Sequence, residues 1–176
     1  MSGNQSATLE EGVMPRGQRR ALEWIRSGKK HLLIGGQWVA AASGKTFETI
    51  NPATEEVLTR VAEADSHDVD TAVAAARRAF EAPSWSGISP HERALYLLRI
   101  AEGIEAHAEE LAAIESLDIG APLSFTRGQV AATAERFRYY AGWTSKIHGT
   151  TNASDASRFI YMVREPMGVC LSLIHI

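Results

Sequence analysis

Glu56-Val57-Leu58-Thr59-Arg60-Val61-Ala62 runs straight into Glu63-Ala64-Asp65-Ser66-His67-Asp68-Val69-Asp70, and the hydrophobic period changes between the two. Val57 and Val61 carry β-propensity, so Glu56–Ala62 reads as a strand. Beyond it the apolar residues fall at Val69, Ala72, Val73, Ala76 and Phe80, which is the spacing of one helix face. Asp65 or Ser66 supplies the N-cap, and Pro83 closes the helix. A chain that builds strands up to this point and helices after it is an α/β protein.

Toward the N-terminus the β character continues. Thr46–Ile50 meets Asn51-Pro52-Ala53-Thr54, a turn in which Asn bonds its own backbone and Pro presets φ. His31–Ala40 holds two short apolar runs around Gly35-Gly36, the pair that supplies the positive φ angles of a two-residue hairpin. The first ordered third is therefore a small antiparallel β unit. Before it, residues 1–30 open polar and Gly-rich and read as a flexible N-terminal arm. Within the arm, Ala21, Leu22, Trp24 and Ile25 form a cluster fit for one or two helical turns, provided it lies on something else.

Toward the C-terminus helices dominate. Ser89-Pro90-His91-Glu92 is a capping box with Pro in the first turn. Leu95, Leu98, Ala101 and Ile104 follow on one face, His107 interrupts the run, and Leu111, Ile114 and Leu117 carry it to a stop at Gly120 and Pro122. A further helix is expected from about Val130 to Trp143. Thr150–Ser157 reads as loop and Arg158–Cys170 as a strand that Pro166 restricts to an edge or a bulge.

The charge balance excludes some functions. Lys and Arg number 18 against 21 Asp and Glu, a net charge of −3, which argues against nucleic acid as the main partner. The single cysteine, Cys170, rules out an intramolecular disulfide framework. No apolar run approaches the roughly 20 residues of a membrane span, so no membrane partner is expected. The opening residues have no signal-peptide core, and a cytoplasmic location is the expectation.

Candidate chemistry is sparse. His107 and Glu110 stand one turn apart, but two ligands without a third do not make a metal site, and a solvated helix face explains them. Glu92, beside His91, is absorbed by the capping box. Asp65, Asp68 and Asp70 suit a helix N-terminus. Arg136 and Arg138 beside Tyr139 and Tyr140 suit a helix face with snorkelling side chains. Asn4-Gln5-Ser6 and Asn152-Ala153-Ser154 match glycosylation sequons by chance. Cys170 sits among Met167, Gly168, Val169 and Leu171 with no base nearby in sequence, so it reads as a buried strand cysteine rather than a nucleophile. No catalytic, cofactor-binding or metal-binding residue is assigned.

Five segments in order resemble the NAD(P)-dependent aldehyde dehydrogenases: Leu33-Ile34-Gly35-Gly36-Gln37-Trp38-Val39 with Gly44-Lys45-Thr46-Phe47 and Ile50-Asn51-Pro52-Ala53-Thr54; Asp68–Arg77 ending in Ala79-Phe80; Trp85 through Arg93 to Ala112 and then Glu115–Gly120; Arg138-Tyr139-Tyr140-Ala141-Gly142-Trp143 with Lys146-Ile147-His148-Gly149; and Arg164-Glu165-Pro166-Met167-Gly168-Val169-Cys170. The resemblance implies the N-terminal part of a Rossmann-type cofactor domain over residues 31–157, the start of an oligomerisation strand over 158–170, and a non-matching tail over 171–176. The fold is incomplete on this view, with a small antiparallel β unit, three or four helices and one strand of the oligomerisation region.

The same resemblance implies an enzyme that oxidises an aldehyde to a carboxylic acid: a Cys thiolate adds to the carbonyl, hydride leaves to the nicotinamide, and water releases the thioester. The oxyanion Asn, ribose Lys, pyrophosphate turn, Glu base and nucleophilic Cys follow later in relatives, and Cys170 does not match the nucleophile's motif. Two departures are Gly120-Ala121-Pro122 where the family has Gly-Lys-Pro, and Leu171–Ile176 where it has a Gly, an apolar strand and Pro-Trp-Asn. The expectation is therefore NAD or NADP in the full-length parent, none bound by these residues alone, no activity of the chain by itself, and homo-oligomer contacts through 158–165. The alternative is a short non-catalytic interaction protein that binds a partner through the 158–176 strand.

Overall fold

A computed structural model describes residues 14–172. Residues 1–13 of the arm expected over 1–30, the sequon at Asn4 and the end of the tail from residue 173 lie outside the described residues.

The chain begins with α1 (Arg16–Arg26), a helix where part of a flexible arm is expected. Ala21 and Ile25, one turn apart, are its buried residues, and they pack α1 onto α5 (Ala108–Ile119). The approach is close. A Cβ on Gly17 would lie 2.3 Å from the Glu109 Cβ, so only glycine lets the first turn of α1 reach α5. The cluster expected to need a surface thus has one, and the helix runs further than two turns because of it.

Strands β1 (Leu32–Ile34) and β2 (Gln37–Val39) pair antiparallel around Gly35 and Gly36, whose φ angles of +59° and +80° make the expected hairpin turn. β3 (Thr46–Ile50) pairs antiparallel with β4 (Val57–Ala62), one residue shorter at its start than read from the sequence. Asn51 closes their connection: its Oδ1 accepts from Ala53 N at 2.9 Å. Lys30 then bonds along β4, giving its N–H to Arg60 O and taking that of Ala62, each at 2.8 Å.

The helical layer follows. α2 (Ser66–Glu81) starts at Asp65, and α3 (Pro83–Ser86) is a single unforeseen turn. α4 (Pro90–Ala106) opens with the predicted capping box: Ser89 Oγ accepts from Glu92 N at 3.2 Å, and Glu92 accepts from Ser89 N at 2.8 Å. The Ser89 N–H, and the Ser89 hydroxyl that also donates to Glu92 Oε2 at 2.8 Å, hold the Glu92 carboxyl below its usual range. His107 separates α4 from α5, and α5 ends on Gly120 at φ +71°.

α6 (Leu123–Ala141) begins seven residues before the expected Val130. Pro122 stands just ahead of it, where a missing N–H costs nothing, and Gly128 in its interior does not break it. α6 packs against both α4 and α5. The contact is made by small residues: Ala101 on α4, Ala112 on α5 and Ala134 on α6 are fully buried. Thr126 is equally buried, and its hydroxyl donates to Ala112 O at 2.9 Å, so one polar group ties α6 to α5 inside this core.

The last element corrects two readings. Thr150–Asn152, taken as loop, is β5, and it pairs antiparallel with β6 (Ile160–Met162). The strand expected over 158–170 is confined to β6. β5 offers a ladder for only three residues, and Pro166 lacks the N–H to extend one. Cys170, read as a buried strand residue, is exposed and lies outside any strand. Among the described residues the three two-stranded sheets are antiparallel, the Lys30–Val61 bridge is parallel, and Leu95, Ile100 and Leu111 are 40–44% exposed on the helices.

Candidate functional site

Chemistry-bearing side chains gather at three junctions. At the first, Asp65 Oδ1 accepts from His67 N at 2.9 Å and from Asp68 N at 3.2 Å. Asp68 accepts from Asp65 N at 3.1 Å and from Ala42 N at 3.0 Å. Asp68 is the buried member, and it reaches from α2 to the loop between β2 and β3. Asp70 points to solvent and takes no part. The aspartates are thus a cap and a staple, not an acid–base pair. The link to Ala42 is invisible in sequence because its partner is a backbone N–H 26 residues away.

At the second junction paired carboxylates and guanidiniums clamp the helices. Arg138 Nη1 donates to Glu105 Oε1 at 2.7 Å, with a second bond between Nη2 and Oε2, and reaches Glu135 at 3.1 Å. Arg127 holds Glu109 by two bonds of 2.8 and 2.6 Å. The arginine hydrogen bonds draw Glu105 and Glu109 below the usual carboxylate range and push both guanidiniums up. Arg136, weighed with Arg138 as an anion site, shares none of these bonds and is exposed. His107 Nδ1 lies 3.0 Å from Glu110 Oε2 as a surface pair. Among the described residues no three His, Cys, Asp or Glu side chains are grouped to hold a metal ion.

The third junction is the C-terminal stretch. Cys170 Sγ lies 3.7 Å from Gly168 O. Trp143, Lys146, Ile147, His148 and Arg164 line an open concavity of about 420 Å³, with Arg164 Nε on His148 O at 3.3 Å. Asn152, of the second sequon, is exposed at the end of β5.

Two antiparallel hairpins, a layer of helices and a returning hairpin define an α/β unit that superposes on dinucleotide-dependent enzymes. In the NAD+ complex structure of aldehyde dehydrogenase from Bacillus cereus, the likeness has a TM-score of 0.76 at 45% identity, covering 80% of this chain and 29% of that one. The sequence profile of the aldehyde dehydrogenase family matches residues 38–174. The chain is 41% identical over 173 residues to aldehyde dehydrogenase family 2 member B4, mitochondrial, of Arabidopsis thaliana, covering 98% of this chain and 31% of that protein. It is 44% identical over 170 residues to benzaldehyde dehydrogenase, mitochondrial, of Antirrhinum majus, covering 96% of this chain and 30% of that protein. The chain belongs to the aldehyde dehydrogenase family. It spans about 30% of the length of these relatives. Two relatives are named as mitochondrial, so they lend the cytoplasmic expectation no support.

A pyrophosphate is held by free N–H groups at a helix N-terminus without competing carboxylates. The starts of α2 and α4 are closed by Asp65 with Asp68 and by Ser89 with Glu92. α5 opens on Glu109 and Glu110, and α1 begins against Glu109. α6 opens without a side-chain cap or an acidic residue in its first turn, and Arg127, one turn further in, is paired with Glu109.

Proposed function

We propose that these residues are the N-terminal scaffold of an aldehyde-oxidising, NAD-dependent enzyme, and that by themselves they neither bind the cofactor nor oxidise an aldehyde. The family match carries the reading. NAD as the whole enzyme's cofactor is supported by the NAD+ complex from Bacillus cereus, and an aldehyde substrate by the names of the relatives. Inactivity of the chain alone follows from its site chemistry. The starts of α2 and α4 are occupied by the chain's own carboxylates, and Cys170 does not match the motif of the family's nucleophile. The structural work of the segment is to hold a helical layer against two hairpins and to present β6.

That strand is the proposed homo-oligomer contact. Phe159, Tyr161 and Val163 are all strongly exposed, and β5 pairs only one edge of β6. The same exposure favours one other reading, a non-catalytic protein that captures a partner strand through 158–176. The test of the first reading is direct. Purified chain is mixed with NAD and a panel of aliphatic and aromatic aldehydes, and absorbance of the reduced nicotinamide is followed. No rate above the protein-free control is expected, and reduced cofactor forming with the chain as the only protein overturns it. Light scattering separates the two uses of β6: a self-associating chain supports the oligomer contact, and a monomer that gains mass only with a partner supports the interaction protein.

A further inference from the structure

Arg16, Arg19, Arg20, Arg26, Lys29 and Lys30 stand against a single carboxylate, Glu23, between residues 16 and 31 of a chain whose net charge is −3. The structure sorts these cations. Arg16 and Arg20 face α5, where they line a concavity with Glu105, Glu109 and Glu110. Lys29 and Lys30 face the other way, toward the β1–β2 hairpin. There Trp24, Lys29, Lys30, His31 and Trp38 line a concavity of about 210 Å³. Lys29, Lys30, His31 and Lys45 line a second. No carboxylate lines either one.

The apolar half of this face comes from the hairpin. Leu33 and Trp38 are directly opposite each other in the ladder, and they are 60% and 68% exposed. Trp24 is 44% exposed, with Lys30 Nζ 4.2 Å from its ring centre. Lys30 Nζ donates to Trp24 O and Ser27 Oγ and keeps its charge outside the ion pairs of the described residues, and large apolar side chains left in water beside such lysines suit a partner that is both apolar and anionic. Among the described residues none of the ion pairs uses Lys29, Lys30 or Lys45.

We propose that this face, Trp24, Leu33 and Trp38 rimmed by Lys29, Lys30 and Lys45, docks peripherally on an anionic lipid surface. Indole rings settle at the headgroup level, and lysines around them are drawn to acidic headgroups. Leu33 decides between lipid and nucleic acid: it inserts into acyl chains but gives nothing to a stack of bases. Surface docking needs no spanning segment, and no described helix is long and apolar enough to be one. The expectation of no membrane partner considered spanning segments alone.

The experiment is flotation of the 176-residue chain with vesicles through a density gradient, which leaves aggregates behind. Vesicles with roughly a third phosphatidylserine should carry the chain upward and shift its tryptophan emission to the blue, whereas pure phosphatidylcholine should not. Salt of about 0.5 M should release it. Lys29→Gln and Lys45→Gln should each weaken binding roughly five-fold. Leu33→Ser with Trp38→Ser should abolish the blue shift, and both positions are exposed enough to leave folding intact. Arg99→Gln, the same charge change on α4, should bind as the parent does. No flotation on phosphatidylserine, equal flotation on both lipids, unchanged binding by the lysine variants, or capture by a single-stranded oligonucleotide in place of vesicles would each overturn the proposal.

Discussion

The helical layer and the β5–β6 hairpin answer the same pressure in opposite ways. Where α4, α5 and α6 meet, Ala101, Ala112, Thr126 and Ala134 are fully buried, and Arg127 and Arg138 bridge the helices outside. In the hairpin every strand residue is exposed, and Phe159 and Tyr161 mainly touch each other, 5.7 Å apart at the ring centres. Small residues let helix backbones approach until they cover themselves. A two-stranded hairpin has no second layer and depends on whatever lies beyond it. The first region covers its alanine seam while leaving Leu95, Ile100 and Leu111 half-exposed on its outer faces, and the second is a surface with no layer of its own.

That contrast can be broken most forcefully in the alanine core. Ala134→Phe should cost about 3 kcal/mol, since the helices have no room to give and overpacking forces them apart. Thermal melts of the variant and parent measure it, and an unchanged melting temperature would mean that the layer is loose. Asp68→Ala comes next, at about 2 kcal/mol, because it strands the Ala42 and Asp65 N–H groups and loosens the β2–β3 loop from α2. Thr126→Val keeps the volume but removes the hydroxyl bond that Ala112 O accepts beyond its helical one, for about 1 kcal/mol.

The arginine clamps sharpen the comparison through pH. Glu105 and Glu109 have depressed folded-state values, so they stabilise the fold above the unfolded carboxylate value of about 4.3. That contribution disappears as pH falls through the folded values. A chain carrying Arg127→Met and Arg138→Met should melt below the parent at neutral pH, and the gap should close on acidification. Glu92 and Asp155, also depressed, act equally in both proteins and cancel. Tyr161→Ser should have the smallest effect, within about 0.5 kcal/mol, because its ring is 61% exposed and meets only the equally exposed Phe159 ring in the ring contacts of the described residues. A larger loss in dilute solution would show that β6 is already covered by a second copy.

How much of this was legible in the residues depends on the range of the signal. The Gly35-Gly36 turn, the Asp65 and Ser89 caps, the break at His107 and the stop at Gly120 were all readable, since each is decided within four or five residues. The start of α6 was misread because its cues, Pro122 and the buried Thr126, acquire meaning only against Ala112. β5 was missed because Thr150-Thr151-Asn152 has no apolar alternation and becomes a strand only by pairing with β6. The candidate site followed the same rule. His107 with Glu110 was visible as neighbours one turn apart, whereas the Arg138–Glu105 clamp joins residues 33 apart.

The order of strands and helices, their caps and turns, and membership of the aldehyde dehydrogenase family were determined by the sequence itself, because local backbone energetics and motif order need no partner. Only the tertiary structure decided that α1 is a docked helix, that Asp68 staples the β2–β3 loop to α2, that Cys170 is exposed, and that Lys29 and Lys30 line one concavity with Trp24 and Trp38 and a second with Lys45. Each of these depends on a contact between segments distant in the chain, and such contacts are set by packing and burial rather than by neighbouring residues.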